Sequence, residues 1–130
     1  MSKTMRQTAT FKTSPHEVYE ALMDAKKHAA FTEGAAKISR QVGGTFSISD
    51  GEIEGKNLEL VPDRKIVQAW RYSDWPVGHY STATFELEKI DKGTRLTFTQ
   101  RDVPDDKYED IKQGWKDYYW LPMKEMLDQK

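Results

Sequence analysis

The sequence predicts an α+β fold in which a curved antiparallel sheet of about six or seven strands wraps one long C-terminal helix. Three observations lead there. First, Tyr108, Ile111, Trp115, Tyr118, Tyr119, Pro122 and Met126 recur mostly at gaps of three and four, the spacing of one apolar helical face. Second, the middle of the chain breaks into short alternating segments separated by Gly, Asp and Pro turns, as hairpins do. Third, the aromatic face of the last helix needs an apolar partner, and a meander of hairpins with one greasy side supplies it.

In order, residues 3–13 alternate, with Met5, Ala9 and Phe11 on one side and Arg6, Thr8, Thr10 and Lys12 on the other, so they read as a half-buried strand. Ser14-Pro15-His16-Glu17 is a capping box with proline at the first helical position. It opens a short helix with Val18, Tyr19, Leu22 and Met23 as its apolar side. Asp24 caps a second helical piece reaching Phe31, and 32–34 is a loop. Lys37–Arg40 is a short strand and Gly43-Gly44 a turn, followed by a strand over 45–49 with Phe46 and Ile48 facing the same way. Asp50-Gly51 closes a hairpin onto 52–61, whose phase change between Gly55 and Leu58 predicts a bulge near Lys56-Asn57. Strands follow at 65–72, at 81–90 with Ala83, Phe85 and Leu87 inward, and at 94–101 with Leu96 and Phe98 inward.

The last helix is predicted over Pro104–Lys130, with Asp105, Asp106, Glu109 and Asp110 at its positive end. Gly114 suggests a close backbone approach beside Trp115. Pro122 lacks the donor that the Tyr118 carbonyl needs, which predicts a kink. Two consequences stay open: a bent helix that simply follows a curved sheet, or a helix held partly off the sheet, leaving a cavity.

Composition bounds the function. At 130 residues the chain fits one domain, 1–130, with length enough for a core. A net charge of -1 and the lack of a basic stripe argue against nucleic acid. With no cysteine there is no disulfide framework, thiolate nucleophile or thiolate metal site. No signal peptide or transmembrane run is visible, so a cytoplasmic protein with no membrane association is the expectation. His16, His28 and His79 lie on different elements without ligand spacing, and no phosphate-binding glycine loop or assignable nucleophile and base occurs, so no metal, cofactor or catalytic residue is predicted. Glu52 and Glu54, like Glu86 and Glu88, read as solvating charges on strands.

Two sets of residues are candidates for binding. Phe46, Trp70, Phe85, Phe98, Trp115 and Tyr119 either line an apolar pocket between sheet and helix, with Gln68 or Gln100 as polar contacts, or simply pack together. In the loop 73–80, Trp75, His79 and Tyr80 form either an exposed aromatic anchor for a partner or, with Trp75 folded back, a cover over the sheet edge.

The run Asp50-Gly51-Glu52-Ile53-Glu54-Gly55, then Leu60-Val61-Pro62 and Ile66-Val67-Gln68-Ala69-Trp70-Arg71, resembles the family of activators of heat-shock protein 90 ATPase. So do Trp75-Pro76-Val77-Gly78-His79, Val103-Pro104 and Gln113-Gly114-Trp115-Lys116-Asp117-Tyr118-Tyr119. The resemblance covers nearly the whole chain. It implies the helix-grip fold of the START-like (birch-pollen-allergen-like, SRPBCC) superfamily, and a co-chaperone-like interaction module with a heat-shock protein 90 chaperone as partner. In that family the eukaryotic co-chaperones carry a separate N-terminal domain that supplies major chaperone contacts, and this chain resembles the C-terminal domain alone. The wider superfamily also holds binders of lipids, sterols and other apolar molecules, and some cyclases. A small hydrophobic ligand is therefore the alternative the resemblance implies.

Overall fold

A computed structural model describes residues 2–32 and 34–128 of the chain. Glu33 of the predicted loop, Gln129 and Lys130 at the predicted end of the last helix, and Met1 lie outside the described residues. Strand β1 (Ser2–Phe11) leads into α1 (Pro15–Met23) and α2 (Ala25–Thr32). Ser14 Oγ accepts the Glu17 N–H at 3.3 Å and Asp24 Oδ1 accepts that of Lys27 at 3.1 Å, so both predicted caps form. Then come β2 (Ala36–Ile38), β3 (Thr45–Ile48), β4 (Ile53–Val61), β5 (Lys65–Tyr72), β6 (Ser81–Ile90) and β7 (Gly93–Pro104). Among the described residues these make one seven-stranded antiparallel sheet in the order β1-β7-β6-β5-β4-β3-β2. It is a meander closed by β1 pairing with β7, the curved sheet and terminal helix that the sequence predicts.

The strand ends differ from the prediction for local reasons. β2 stops at Ile38, and Arg40 beyond it pairs through both guanidinium nitrogens with Glu20 of α1. β3 stops at Ile48 because Ser49, Asp50 and Gly51 all take positive φ, forming the turn. The β4 bulge falls between Asn57 and Glu59, next to its predicted place. β7 runs three residues past Arg101. A register shift opposite β1 between Lys3 and Met5 takes up the extra residue, with Asp102 at φ 64, and Val103 is buried beyond it. Gly55 is where backbones approach closely: a Cβ there would lie 1.7 Å from the Ala69 carbonyl oxygen and 2.7 Å from the Phe46 ring.

The terminal helix is built from four successive pieces. A 3-10 turn (Asp105–Lys107) opens it, α3 covers Tyr108–Trp115, a π-turn takes Lys116–Trp120, and α4 runs Leu121–Leu127. The π-turn ends two residues before Pro122, whose place in the first turn of α4 removes the need for its missing N–H. The Lys116 N–H turns to the Gln113 carbonyl, and the Lys112 carbonyl accepts from Gln7 Nε2 at 3.0 Å. Gly114 is not a close-approach site. The nearest atom to a Cβ placed there is Tyr118 Cδ2 at 3.8 Å, so the predicted reason for that glycine is wrong.

Candidate functional site

The inner face of the sheet is filled by aromatic side chains. Phe98 lies 4.3 Å from Trp115 between ring centroids, Trp115 lies 4.5 Å from Tyr119, and Phe85 lies 5.0 Å from Phe98. Trp70 approaches both Trp115 and Trp75 at 5.5 Å. Their polar edges are satisfied in a buried relay. Trp115 Nε1 donates to Gln100 Oε1 at 2.8 Å, Gln100 Nε2 donates to Ser81 Oγ at 2.9 Å, and that hydroxyl donates to the Trp70 carbonyl at 2.8 Å. A second buried pair joins Gln68 Nε2 to Asn57 Oδ1 at 3.2 Å, while Asn57 Nδ2 holds the Ser39 and Gln41 carbonyls.

Among the described residues two spaces behind the helix stand out. One is a void of about 20 Å³ among Leu22, His28, Phe46, Gln68, Phe85 and Tyr119, room for a water molecule and nothing larger. His28 sits there between Phe31 at 4.9 Å and Tyr119 at 5.3 Å, and its Nδ1 has no partner among the described residues. Burial pushes its pKa from 6.5 down to about 4, and burial likewise raises the Tyr119 hydroxyl above the usual range. The other space is a cleft of about 530 Å³ between the β3–β5 end of the sheet and α3. Its floor is Trp70, Trp75, Trp115 and Tyr119. Its walls are Ile48, Ile53 and Tyr72 on the sheet, and Ile111, Gly114 and Tyr118 on the helix.

The hydrogen bonds that fasten the helix lie mostly along the side away from the cleft. On the β1 side Trp120 Nε1 donates to Gln7 Oε1 at 2.6 Å, Lys124 Nζ donates to the Thr10 carbonyl, and the Lys12 N–H donates to Asp128 Oδ1 at 2.8 Å. On the other side the bridge is at the mouth: Lys107 Nζ meets Asp74 Oδ2 at 3.0 Å. That hydrogen bond raises the Lys107 pKa. Tyr72 donates its hydroxyl to Glu52 Oε2 at 3.2 Å, and its pKa is raised by burial first and by Glu52 next. The Ile53–Tyr72 pairing in the sheet brings Glu52 to that hydroxyl.

The six predicted ligand-lining residues divide. Trp70, Trp115 and Tyr119 floor the cleft, whereas Phe46, Phe85 and Phe98 do not reach it and pack as core. The expectation of an enclosed ligand chamber among all six is corrected, because their mutual contact leaves only the small void. Gln100 is likewise removed as a ligand contact, since its side-chain oxygen and nitrogen are both engaged in the relay and it is fully buried.

In the loop, Trp75 is 3 % exposed and folds back onto Trp70, so the exposed-anchor expectation for Trp75 is wrong. Its ring also meets His79 edge-on at 5.6 Å, and the His79 Nε2 reaches the Asp102 carbonyl at 2.7 Å. Tyr80 remains 41 % exposed, and neighbouring Val77 is fully exposed. Sequence reasoning missed the cleft's rim, namely Glu52, Tyr72, Asp74, Lys107, Asp110 and Tyr118. The available signal was Gly114, a residue without a side chain amid the aromatic helix.

Among the described residues no group of three His, Asp or Glu side chains is placed to hold a metal ion. No helix among them is long and apolar enough to cross a membrane.

Comparison with known proteins gives concordant results. Residues 12–128 match the model of a family described as Activator of Hsp90 ATPase homolog 1-like protein. A human activator of 90 kDa heat shock protein ATPase homolog 1 is 38% identical over 118 residues, 89% of this chain and 34% of that protein. The chain thus spans about a third of the length of the curated relatives it matches. The crystal structure of an HSP90 activator from Plasmodium falciparum superposes with a TM-score of 0.89 at 28% identity, covering 95% of both chains. The solution structure of an Aha1 dimer from Colwellia psychrerythraea, at 19% identity and a TM-score of 0.83 over 98% of this chain and 97% of that one, shares the fold.

Proposed function

The chain belongs to the Activator of Hsp90 ATPase homolog 1-like family, and from that premise we propose that it is a non-catalytic binding module that docks on a heat-shock protein 90 chaperone. The observation that carries this reading is the braced loop 73–80. Arg71 Nη2 donates to the Trp75 carbonyl at 2.6 Å, His79 is tied to Asp102, and Trp75 is buried beneath. A loop so held, yet presenting Val77 and Tyr80 to solvent, loses little entropy on meeting a partner. Trp75 and His79 act in this reading as the frame, and Tyr80 with Val77 as the contact.

Titrating the protein into the heat-shock protein 90 of its host, with ATP turnover and complex formation both followed, tests the proposal. Saturable binding with a rise in turnover is expected, and the Val77→Asp protein should lose both while remaining folded. Absence of complex and of any change in turnover rejects the reading.

A second reading rests on the cleft. About 530 Å³ falls within the range of small-molecule sites, and the walls are aromatic and aliphatic with a few polar groups at the mouth. Trp70, Trp115 and Tyr119 would line a ligand from below, with Tyr118 above it. Among the described residues no histidine lines the cleft, and binding rather than turnover is the role proposed. Native mass spectrometry of the protein as purified should reveal a retained small apolar molecule, and a Gly114→Phe protein, whose new ring occupies the cleft, should lose it.

A further inference from the structure

We infer that the cleft is built for a small organic cation, an amine or quaternary ammonium carried on an apolar body. The inference rests on the reading of the cleft as a ligand site and adds the chemical class. Two features of the rim point to it. Among the described residues the ionisable side chains lining the cleft, apart from tyrosines, are Glu52, Asp74, Asp110 and Lys107. Three carboxylates against one ammonium give the cleft a formal charge more negative than the whole chain's -1. The ammonium is already taken: Lys107 Nζ lies 3.0 Å from Asp74 Oδ2. Lys107 also feels Asp110, but one ammonium cannot balance three carboxylates, so the rim keeps a formal excess of two negative charges to meet a ligand.

The second feature is the wall chemistry. A cation is attracted to the face of an aromatic ring, and such rings combined with nearby carboxylates recognise alkylammonium groups. Here Tyr72 on the sheet and Tyr118 on the helix flank the mouth, above the Trp70 and Trp115 floor. Tyr72 also donates its hydroxyl to Glu52 at 3.2 Å, which holds the carboxylate at the mouth. An anionic ligand of the same shape would meet this net negative charge across a low-dielectric floor, and like-charge contact of this kind is what excludes wrong partners.

Three probes with one body separate the cases: 4-phenylbutylammonium, 4-phenylbutanol and 4-phenylbutyrate, each titrated while indole NMR signals of Trp70 and Trp115 are followed. The ammonium is expected to bind about tenfold tighter than the alcohol, from one favourable charge contact and ring attraction, with the carboxylate weakest. Added salt should shrink the gap between ammonium and alcohol. In a Glu52→Gln, Asp110→Asn double variant the ammonium should fall to the affinity of the alcohol, whose own affinity stays the same. Equal binding of the three probes, or tightest binding of the carboxylate, overturns the inference and leaves the cleft a ligand site. Failure of all three to bind overturns the ligand reading and this inference with it.

Discussion

The terminal helix has two flanks, and they are built on opposite plans. Along β1 every approach is fastened: Trp120 to Gln7, Gln7 to the Lys112 carbonyl, Lys124 to Thr10 and Asp128 to Lys12. Along β3–β5 the same helix touches the sheet where Trp115 meets Trp70 at 5.5 Å and otherwise leaves a cleft, bridged at its mouth by the Lys107–Asp74 pair. The difference separates two tasks that usually compete. Rigidity is concentrated where a polar side chain of β1 is sequestered under the helix, and open space is concentrated where the helix carries glycine. A site that needs room is then free to have it, because the fold does not depend on filling it.

Four substitutions break or sharpen this contrast. Trp120→Ala strikes the fastened flank, removing a buried ring stacked on Trp115 at 5.5 Å together with the bond to Gln7. It should cost about 3–5 kcal/mol in urea unfolding; a cost below that of Tyr118→Ala on the open flank would reverse the comparison. His28→Leu probes the buried floor beneath the cleft. Imidazole in the unfolded chain takes up a proton near pH 6.5, but in the folded chain not until about 4. The contribution of His28 is therefore intact above pH 6.5, is lost as pH falls from 6.5 to 4, and changes no further below that. The loss amounts to about 3 kcal/mol. Unfolding measured across that window should show the leucine protein missing this part of the acid sensitivity; parallel profiles for the two proteins would mean that His28 is not held neutral.

Gln7→Ala leaves the Trp120 indole N–H and the Lys112 carbonyl without their partner, a loss of about 1–3 kcal/mol by thermal unfolding. Tenfold faster hydrogen exchange at Trp120 Nε1, with Trp115 Nε1 unchanged, would place the effect on the fastened flank alone. Gly114→Ala is the smallest and has the opposite sign. With nothing nearer than Tyr118 Cδ2 at 3.8 Å, the methyl group fits, and the helix should gain about 1 kcal/mol. A destabilised alanine protein would show that α3 lies closer to the sheet than the cleft allows.

Much of this architecture is legible in residue order. Alternation placed Met5, Phe11, Phe46, Ile48, Ala83, Phe85, Leu96 and Phe98 on the inner face, and all are buried there. Ser14 and Asp24 marked the helix starts, and the phase change after Gly55 marked the bulge. The errors have common causes. β7 seemed to end at Arg101 because a left-handed Asp102 breaks the alternation, yet pairing with β1 carries it on to Pro104. The π-turn just upstream of Pro122 went unseen, because i to i+5 pairing leaves no periodic trace over five residues. The cleft was half visible. Its floor comes from the aromatic face that periodicity finds, while its rim comes from strand ends and the far side of α3, which only the tertiary arrangement brings together. Trp75 illustrates the limit: an aromatic residue in a polar loop carries no mark of whether it points in or out.

The wider turn at Lys116–Trp120 has a geometric corollary. An α-helix advances about 100° per residue, so one residue absorbed in a looser coil resets the angular position of everything after it. The segment before the turn and the segment after it can thus be aimed independently, like two cams keyed at different angles on one shaft. Trp115 and Met123 are both buried by this offset. In an unbroken α-helix the eight residues from Trp115 to Met123 would set the two about 80° apart, whereas seven would set them about 20° apart, so deleting one residue between 116 and 120 should turn the wide coil into a plain helix that still aims Met123 and Leu127 at the sheet.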